Sequence, residues 1–168
     1  MKTPAFCYNR RMNSAVPTLR RANPEDAAAL TALAFRSKAS NGYDAVFMEA
    51  CRAELTYSAA TMARGETWVA ELDGELAGFI DVRLVDGVAE VFAMFVEPGL
   101  KRTGVGRALW QQLEASARHL GAVTVMLDAD PAAVAFYEAM GCTIAGQAPS
   151  GSIRGRMLPR MGRRLTTG

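Results

Sequence analysis

The sequence predicts an α/β domain. Its sheet is mixed, mostly antiparallel and twisted, with one parallel strand pair and helices on both faces. Three observations predict this. Two helical patterns precede three strands joined at Asp73-Gly74 and Asp86-Gly87, the two-residue signal of tight hairpins. The third strand, Val88–Val96, runs into a Gly-rich turn and an amphipathic helix over Gly104–Leu120. A short apolar run, Val123–Leu127, comes next, and a strand reached through a helical crossover lies parallel to the strand before it.

Taken in order, residues 1–16 show no periodicity and read as an N-terminal extension. Pro17–Ala22 reads as a short strand. Asn23-Pro24-Glu25-Asp26 starts a helix, with Asn as cap, Pro at the first helical position and acids in the first turn. Ala27, Leu30, Leu33 and Ala34 carry its apolar face to about Lys38. After the break Ser40–Asp44, a second helix is expected over Ala45–Thr56, extending as far as Arg64, with Val46, Phe47, Ala50, Cys51 and Leu55 on one face. Thr67–Leu72 and Leu76–Leu84 are the first two strands of the meander. In the Gly104–Leu120 helix, Val105, Leu109, Leu113 and Ala117 face inward and Gly121 ends it. Val123–Leu127 is apolar throughout, as in a strand buried on both faces. Asp130-Pro131 opens a last helix that Gly141 closes. Cys142–Gln147 is expected to pair antiparallel with Val123–Leu127. Arg154–Leu165 reads either as a final strand or as a docked tail.

The totals exclude several classes. The chain has 168 residues, half of them apolar and a formal net charge of +2. That charge is unevenly placed. Residues 1–21 and 154–164 each hold five basic residues and no acid, which leaves nine basic against seventeen acidic residues between them. A basic stripe for duplex DNA is therefore absent from the body, and no nucleic-acid partner is expected. An acidic body suits a cationic or amine substrate. Cys7, Cys51 and Cys142 are odd in number and far apart, which argues against a disulfide framework or a zinc site and for buried thiols in a reducing compartment. No apolar run reaches roughly 18 residues and no secretory signal pattern opens the chain, so a cytoplasmic protein without membrane contact is expected.

The chemistry points to Val91–Gln112. A strand delivering a Gly-rich turn into a helix N-terminus forms an anion site, because the first-turn N–H groups lack intrahelical partners and the helix dipole favours negative charge there. Lys101-Arg102-Thr103-Gly104-Val105-Gly106 is not a P-loop, since Gly106 is followed by Arg107-Ala108 and not by Lys-Ser/Thr. Nor is it a dinucleotide fingerprint, which wants a small residue where Leu109 stands and a βαβ unit around it. Pyrophosphate held on backbone N–H groups, with no metal demanded, is what remains beside a plain tight turn.

Two motifs in this order of elements resemble the GNAT (GCN5-related N-acetyltransferase) superfamily. The family's acetyl-CoA motif, Arg/Gln-x-x-Gly-x-Gly/Ala after a strand and a Pro-containing turn, is matched by Lys101–Gly106 after Phe95-Val96-Glu97-Pro98, with Lys101 in place of Arg or Gln. The family's Asn-x-x-Ala-x-x-Phe-Tyr-Glu-x-x-Gly-Phe is matched by Asp130–Cys142, with Asp130 for Asn and Cys142 for the aromatic. The resemblance covers roughly residues 17–148, and the tail Ser150–Pro159 is similar to tails of some bacterial members.

The resemblance implies a GNAT-like fold, with a single acetyltransferase domain over residues 17–168. It implies transfer of the acetyl group of acetyl-CoA, as co-substrate and without metal, to a primary amine by direct attack. Met94, Phe95 and Val96 are then expected to hold the pantetheine arm by strand-like hydrogen bonds where their strand splays from Val123–Leu127. Lys101, Arg102, Thr103, Gly104, Val105, Gly106 and Arg107 are expected at the pyrophosphate, with Asp130 and Ala133 also on the cofactor. Tyr137 takes the place of the family tyrosine, an acid for the leaving thiolate, or else is a core aromatic beside Phe136. Glu90 is the candidate base, a carboxylate facing a cleft whose pKa burial would raise, or else an exposed strand charge. Asp81 is a second acidic candidate, for substrate binding. A mechanism by positioning alone, with no protein base, is also open.

On the acceptor side the family points to the first two helices and the loop between them, here Ser37–Asp44 with Ser40, Asn41 and Tyr43; Trp68 is a further acceptor-side candidate. His119 reads as a surface group at a helix C-terminus and Trp110 as packing on the sheet. The terminal arginines are expected to line the site or to meet a partner in a homodimer. The rival readings are a different acyl group or acceptor, and a non-catalytic CoA-binding sensor.

Overall fold

The computed structural model describes residues 15–166. Residues 1–14, with Cys7 and nearly all of the expected N-terminal extension, lie outside the described residues. Seven strands form one sheet in the order β1-β2-β3-β4-β5-β7-β6. They are β1 (Thr18–Arg21), β2 (Glu66–Leu72), β3 (Glu75–Val85), β4 (Val88–Val96), β5 (Thr124–Asp128), β6 (Thr143–Pro149) and β7 (Met157–Arg164). The helices are α1 (Ala27–Ala39), α2 (Ala45–Ala50), α3 (Arg52–Leu55), α4 (Ala59–Met62), α5 (Val105–His119) and α6 (Val134–Ala139).

The meander forms as its turns require. Asp73 and Asp86 both have positive φ, as do Gly74 and Gly87, the conformation of a two-residue hairpin whose twist matches its strands. Alternation then divides the sheet's two faces. Val69, Phe79 and Ala93 point to Leu30 and Leu33 of α1. Ala70, Ile80, Val82 and Val125 point to Leu109 and Leu113 of α5. Val105, Leu109, Leu113 and Ala117 are all fully buried, as the period of α5 requires. Each large apolar side chain so buried contributes about 1.5–3 kcal/mol of transfer free energy.

Four expectations are corrected. The long second helix is three short ones, α2 to α4, broken at Cys51 and again at Thr56–Ser58, where Ser58 caps α4. Val46 does not join the apolar face; it is 81% exposed, while Cys51 and Leu55 are buried. Val123–Leu127 is not buried on both faces: Val125 and Leu127 are buried, Thr124 and Met126 half-buried and Val123 exposed. The largest correction is topological. β6 does not pair with β5, because β7 runs antiparallel between them, Leu127 opposite Met161 on one side and Ile144 opposite Met161 on the other. The Arg-rich tail is thus an interior strand. It fits because Gly162 leaves room: a Cβ there would lie 2.2 Å from Met126 Sδ and 3.0 Å from the Val125 carbonyl oxygen. Gly162→Ala is therefore expected to cost about 1–3 kcal/mol of stability, read as a lowered urea midpoint, since the Met126 side chain must move aside and the Val125 carbonyl give way slightly to accept the methyl group.

Only two residue pairs join the parallel strands, Ala89 with Val125 and Glu90 with Met126. Beyond Glu90 the two strands part. That opening, on the sheet's midline between the α1 and α5 faces, positions the site.

Candidate active site at the parting of β4 and β5

A single cleft of about 1120 Å³ runs through the opening. One wall is the free edge of β4, from Glu90 to Val96, and the other comprises Asp128, Asp130, Ala133 and the side of α6 carrying Phe136 and Tyr137. At one end stands the N-terminus of α5. There Gly104 sits in the left-handed region at φ +93°, which turns the chain from the Lys101–Thr103 turn into the helix. Thr103 spends its N–H on the Leu100 carbonyl, and its hydroxyl donates there too. The N–H groups of Gly104, Val105, Gly106 and Arg107 have no acceptor among the described residues. Lys101, Arg102 and Arg107 stand exposed around them, without an ion-pair partner among the described residues. Among the described residues the Lys101 ammonium donates only to Ser40 Oγ, at 3.0 Å. Free N–H groups ringed by three cations form an anion cradle.

The structure thus brings nearly all the sequence-predicted residues to one cleft: Glu90, Met94, Phe95, Val96, Lys101, Arg102, Gly104, Gly106, Arg107, Asp130, Ala133 and Tyr137 line it. Val105 and Thr103 do not. The Val105 side chain is fully buried in the α5 core, so only its backbone N–H is on offer. Phe136, which reads as core, is half-buried and lines the cleft, and its ring comes within 3.0 Å of a Cβ built on Gly106. A glycine is what lets α6 close on α5 at that point.

Tyr137 is 8% exposed and packs edge-on against Trp110 and Phe136. Its hydroxyl has no hydrogen-bond partner among the described residues. Burial, with the nearby Asp130 charge, pushes its pKa up, so the phenol holds its proton.

Glu90 is more committed than a free base. The Arg160 guanidinium of β7 grips both of its oxygens, and Arg160 also donates to Asp128 Oδ1 at 3.1 Å. The expected lone carboxylate is one member of a three-strand ion network across β4, β5 and β7. Each oxygen keeps a second lone pair for a water. Arg160 is a site residue that sequence reading did not single out, because it required β7 to be an interior strand.

Asp81 is corrected as well. It does not line the cleft; it is fully buried, its Oδ2 accepts from Arg83 at 2.6 Å, and its Oδ1 has no partner among the described residues. Burial raises its pKa and Arg83 opposes the rise. Trp68 also lies away from the cleft. Its indole donates to Glu66 at 3.2 Å beside Arg21 and His119, on another surface. His119 is 79% exposed and meets Glu66, as a surface group should.

Asp130 lines the cleft with its oxygens already in use. The Tyr43 hydroxyl donates to it at 2.9 Å, the Ala132 N–H at 2.9 Å, and the Lys38 ammonium stands at 3.5 Å. Arg156, from the loop before β7, donates in turn to Tyr43 at 2.6 Å. Burial pushes the Asp130 carboxyl up, but the Ala132, Tyr43 and Lys38 contacts outweigh it and hold its pKa below the ordinary value. A carboxyl so depressed adds stability that is present above its unfolded pKa and lost as pH falls through the folded one. Tyr43→Phe should therefore cost about 1 kcal/mol near neutral pH, and the gap to the wild type should close as an acid titration of the melting midpoint passes below about pH 4.

A family model described as "Acetyltransferase (GNAT) family" matches residues 32–142. Peptidyl-lysine N-acetyltransferase YiaC of Escherichia coli (strain K12) is 35% identical over 82 residues, 49% of this chain and 53% of that protein. Mycothiol acetyltransferase of Streptomyces avermitilis is 43% identical over 82 residues, 44% of this chain and 26% of that protein. The chain thus spans about half or less of these curated relatives. Among solved structures, a GCN5-related N-acetyltransferase from Rhodopseudomonas palustris, also described as "Aminotransferase, Class-II", superposes with a TM-score of 0.75 at 26% identity over 90% of this chain and 97% of that one. An N-acetyltransferase, PaiA, from Thermoplasma acidophilum, solved with coenzyme A, does so at 0.71 and 17% identity, over 89% and 99%, a likeness of fold alone. The family match runs from within α1 to the residue after the glycine that closes α6, taking in both walls of the cleft, and by it the chain belongs to the GNAT acetyltransferase family.

Proposed function

We propose that this protein is an N-acetyltransferase that moves the acetyl group of acetyl-CoA to a primary amine by direct attack. The observation that carries the reading is the parting of β4 from β5 next to the uncommitted N–H groups of α5. A strand edge with free backbone groups suits the amide-bearing pantetheine arm, and the cation-ringed helix end suits the pyrophosphate. The cofactor then spans from α5 toward Tyr137, with Met94–Val96 along the arm and Ala133 beside it. Asp130 holds the wall in place through Tyr43 and Lys38.

In the reaction the ammonium acceptor first loses one proton. Its nitrogen lone pair forms the C–N bond, the C–S bond breaks with its pair on sulfur, and the nitrogen's surplus proton passes through water to restore the phenol that protonates the sulfur. Tyr137, kept neutral by burial, donates to the departing sulfur. Glu90, gripped by Arg160, takes the ammonium proton through a water on its remaining lone pair. The larger share of the rate comes from holding amine and thioester together. The test is thiol release from acetyl-CoA across a broad panel of amines, beside calorimetric binding of acetyl-CoA. Release with some amine supports the reading. Tight binding with no release from any amine favours the CoA-binding sensor, for which the committed Glu90–Arg160 pair is the one favouring observation. No binding refutes both.

A further inference from the structure

At the end of the cleft away from α5, two opposite charges face each other and do not pair. Arg83 of β3 and Glu90 of β4 are direct cross-strand partners. Opposite residues of an antiparallel pair share a face, with Cβ atoms about 5 Å apart, and opposite charges there normally attract. Here each is turned elsewhere. Glu90 is held by Arg160, and Arg83 by the buried Asp81, through Nε at 3.2 Å and Nη2 at 2.6 Å.

Three details make Arg83 more than a structural ion-pair member. It uses two of its five donors on Asp81, which leaves three, and it lines the cleft with its side chain 14% exposed. Its guanidinium carbon sits over the Phe92 ring, 4.0 Å from the centroid. Phe92 is the extra residue of the β4 bulge, at the shift between the Asp81–Ala93 and Val82–Val91 pairs, and is half exposed. Anchored below and stacked beside, the fork has one orientation. Arg64 is brought to the same place. The chain at Gly65 rides so close on the Arg83 stem that a Cβ would lie 2.6 Å from Arg83 Cγ, and Arg64 lines the cleft with no ion-pair partner among the described residues. Arg64 and Arg83 against Asp81 leave one positive charge in excess at this point. Glu90 and Asp128 against Arg160 leave one negative charge in excess at the neighbouring point. A polyamine or a simple alkyl amine has no use for the first.

We infer that the acceptor is an amino acid: its ammonium group is drawn to the Glu90–Asp128 side, and its carboxylate is read by Arg83 with Arg64. This rests on the acetyltransferase reading above and names the substrate class of that site. Arg83 is a specificity-determining residue in it. A planar guanidinium recognises a carboxylate bidentately, which an ammonium cannot do.

The experiment compares matched acceptors: free amino acids, their carboxamides and the corresponding decarboxylated amines, with α-, β- and γ-amino acids to fix the charge spacing. Thiol release gives kcat/KM for each. Free amino acids are expected to exceed their carboxamides by about 10- to 100-fold, the worth of a charge-assisted pair. Arg83→Lys keeps a charge for Asp81 but loses the fork, and is expected to bring that ratio down at least tenfold, mainly through KM. Arg64→Gln, at an exposed position, should reduce it by a smaller factor. Acetyl-CoA affinity of each variant checks that it is folded. Equal or better use of carboxamides and decarboxylated amines overturns the inference while leaving the acetyltransferase standing. A ratio unmoved by both variants overturns the assignment to these arginines. Release from no amine at all, with acetyl-CoA bound, overturns the acetyltransferase reading and this one with it.

Discussion

Gly104→Asp is expected to weaken acetyl-CoA binding by 100-fold or more. Two effects combine. Gly104 sits at φ +93°, where a side chain costs about 1–2 kcal/mol, although nothing lies within 4 Å of a Cβ there, so the cost is conformational and not a clash. The new carboxylate would also stand at the mouth of the free N–H groups, between Lys101, Arg102 and Arg107, where a pyrophosphate's charge belongs. Gly104→Asn separates the two, since it carries the backbone cost with no charge. Calorimetric titration at low and high salt should show the aspartate variant the weaker of the two, with the difference shrinking as salt rises. Lys101→Ala, which removes one cation of three, should lose only a few-fold. Equal loss in the Asp and Asn variants, or none in either, would mean that no phosphate is held at this helix end.

That this cradle was legible in the sequence follows from how local it is. A strand, a Pro-containing turn, two glycines and an amphipathic helix lie within twenty-two residues, Val91–Gln112, and each imposes its conformation on its own neighbours. The hairpins at Asp73-Gly74 and Asp86-Gly87 are local in the same way. What escaped reading is non-local. β7 enters between β5 and β6 although it carries Pro159 and three arginines. Pro lacks the N–H of a central strand, and charges argue for a surface tail. Both objections are met by partners far away in sequence. Pro159 lies beyond the end of β5, where its carbonyl accepts from Ala129. Arg160 goes to Glu90 and Asp128, and Arg163 to Glu114 and the Met140 carbonyl. The same strand decides what Glu90 is. Read alone, Glu90 is a carboxylate on an apolar strand; in the sheet it is one end of an ion network that two other strands complete. Asp81 shows the opposite failure, since alternation places it on the same face as Phe79 but does not say that it is fully buried there, beside Tyr57 and Arg83.

Tyr137→Phe is expected to lower kcat by about 10- to 100-fold, with KM for acetyl-CoA changed by no more than a few-fold. The magnitude follows from general acid help to a leaving group that is already a good one, which puts it at or below the foot of the usual range of about 100- to 10,000-fold. The change should leave stability untouched, because the hydroxyl has no partner among the described residues and its ring keeps its packing against Trp110 and Phe136. A loss of stability equal to the loss of rate would instead mark Tyr137 as a packing residue. The pH profile supplies a second readout. Burial raises the Tyr137 pKa above its ordinary value, so the phenol is a competent proton donor through pH 10 and beyond. The wild-type kcat should then show no descending limb from this group as pH rises to 10, and Tyr137→Phe should lower the plateau without moving its limbs. A wild-type limb near pH 10 that the variant abolishes would place the hydroxyl in water and not in the dry wall of the cleft. A variant within threefold of the wild type would mean that the thiolate leaves unaided and that the proximity of amine and thioester carries the reaction.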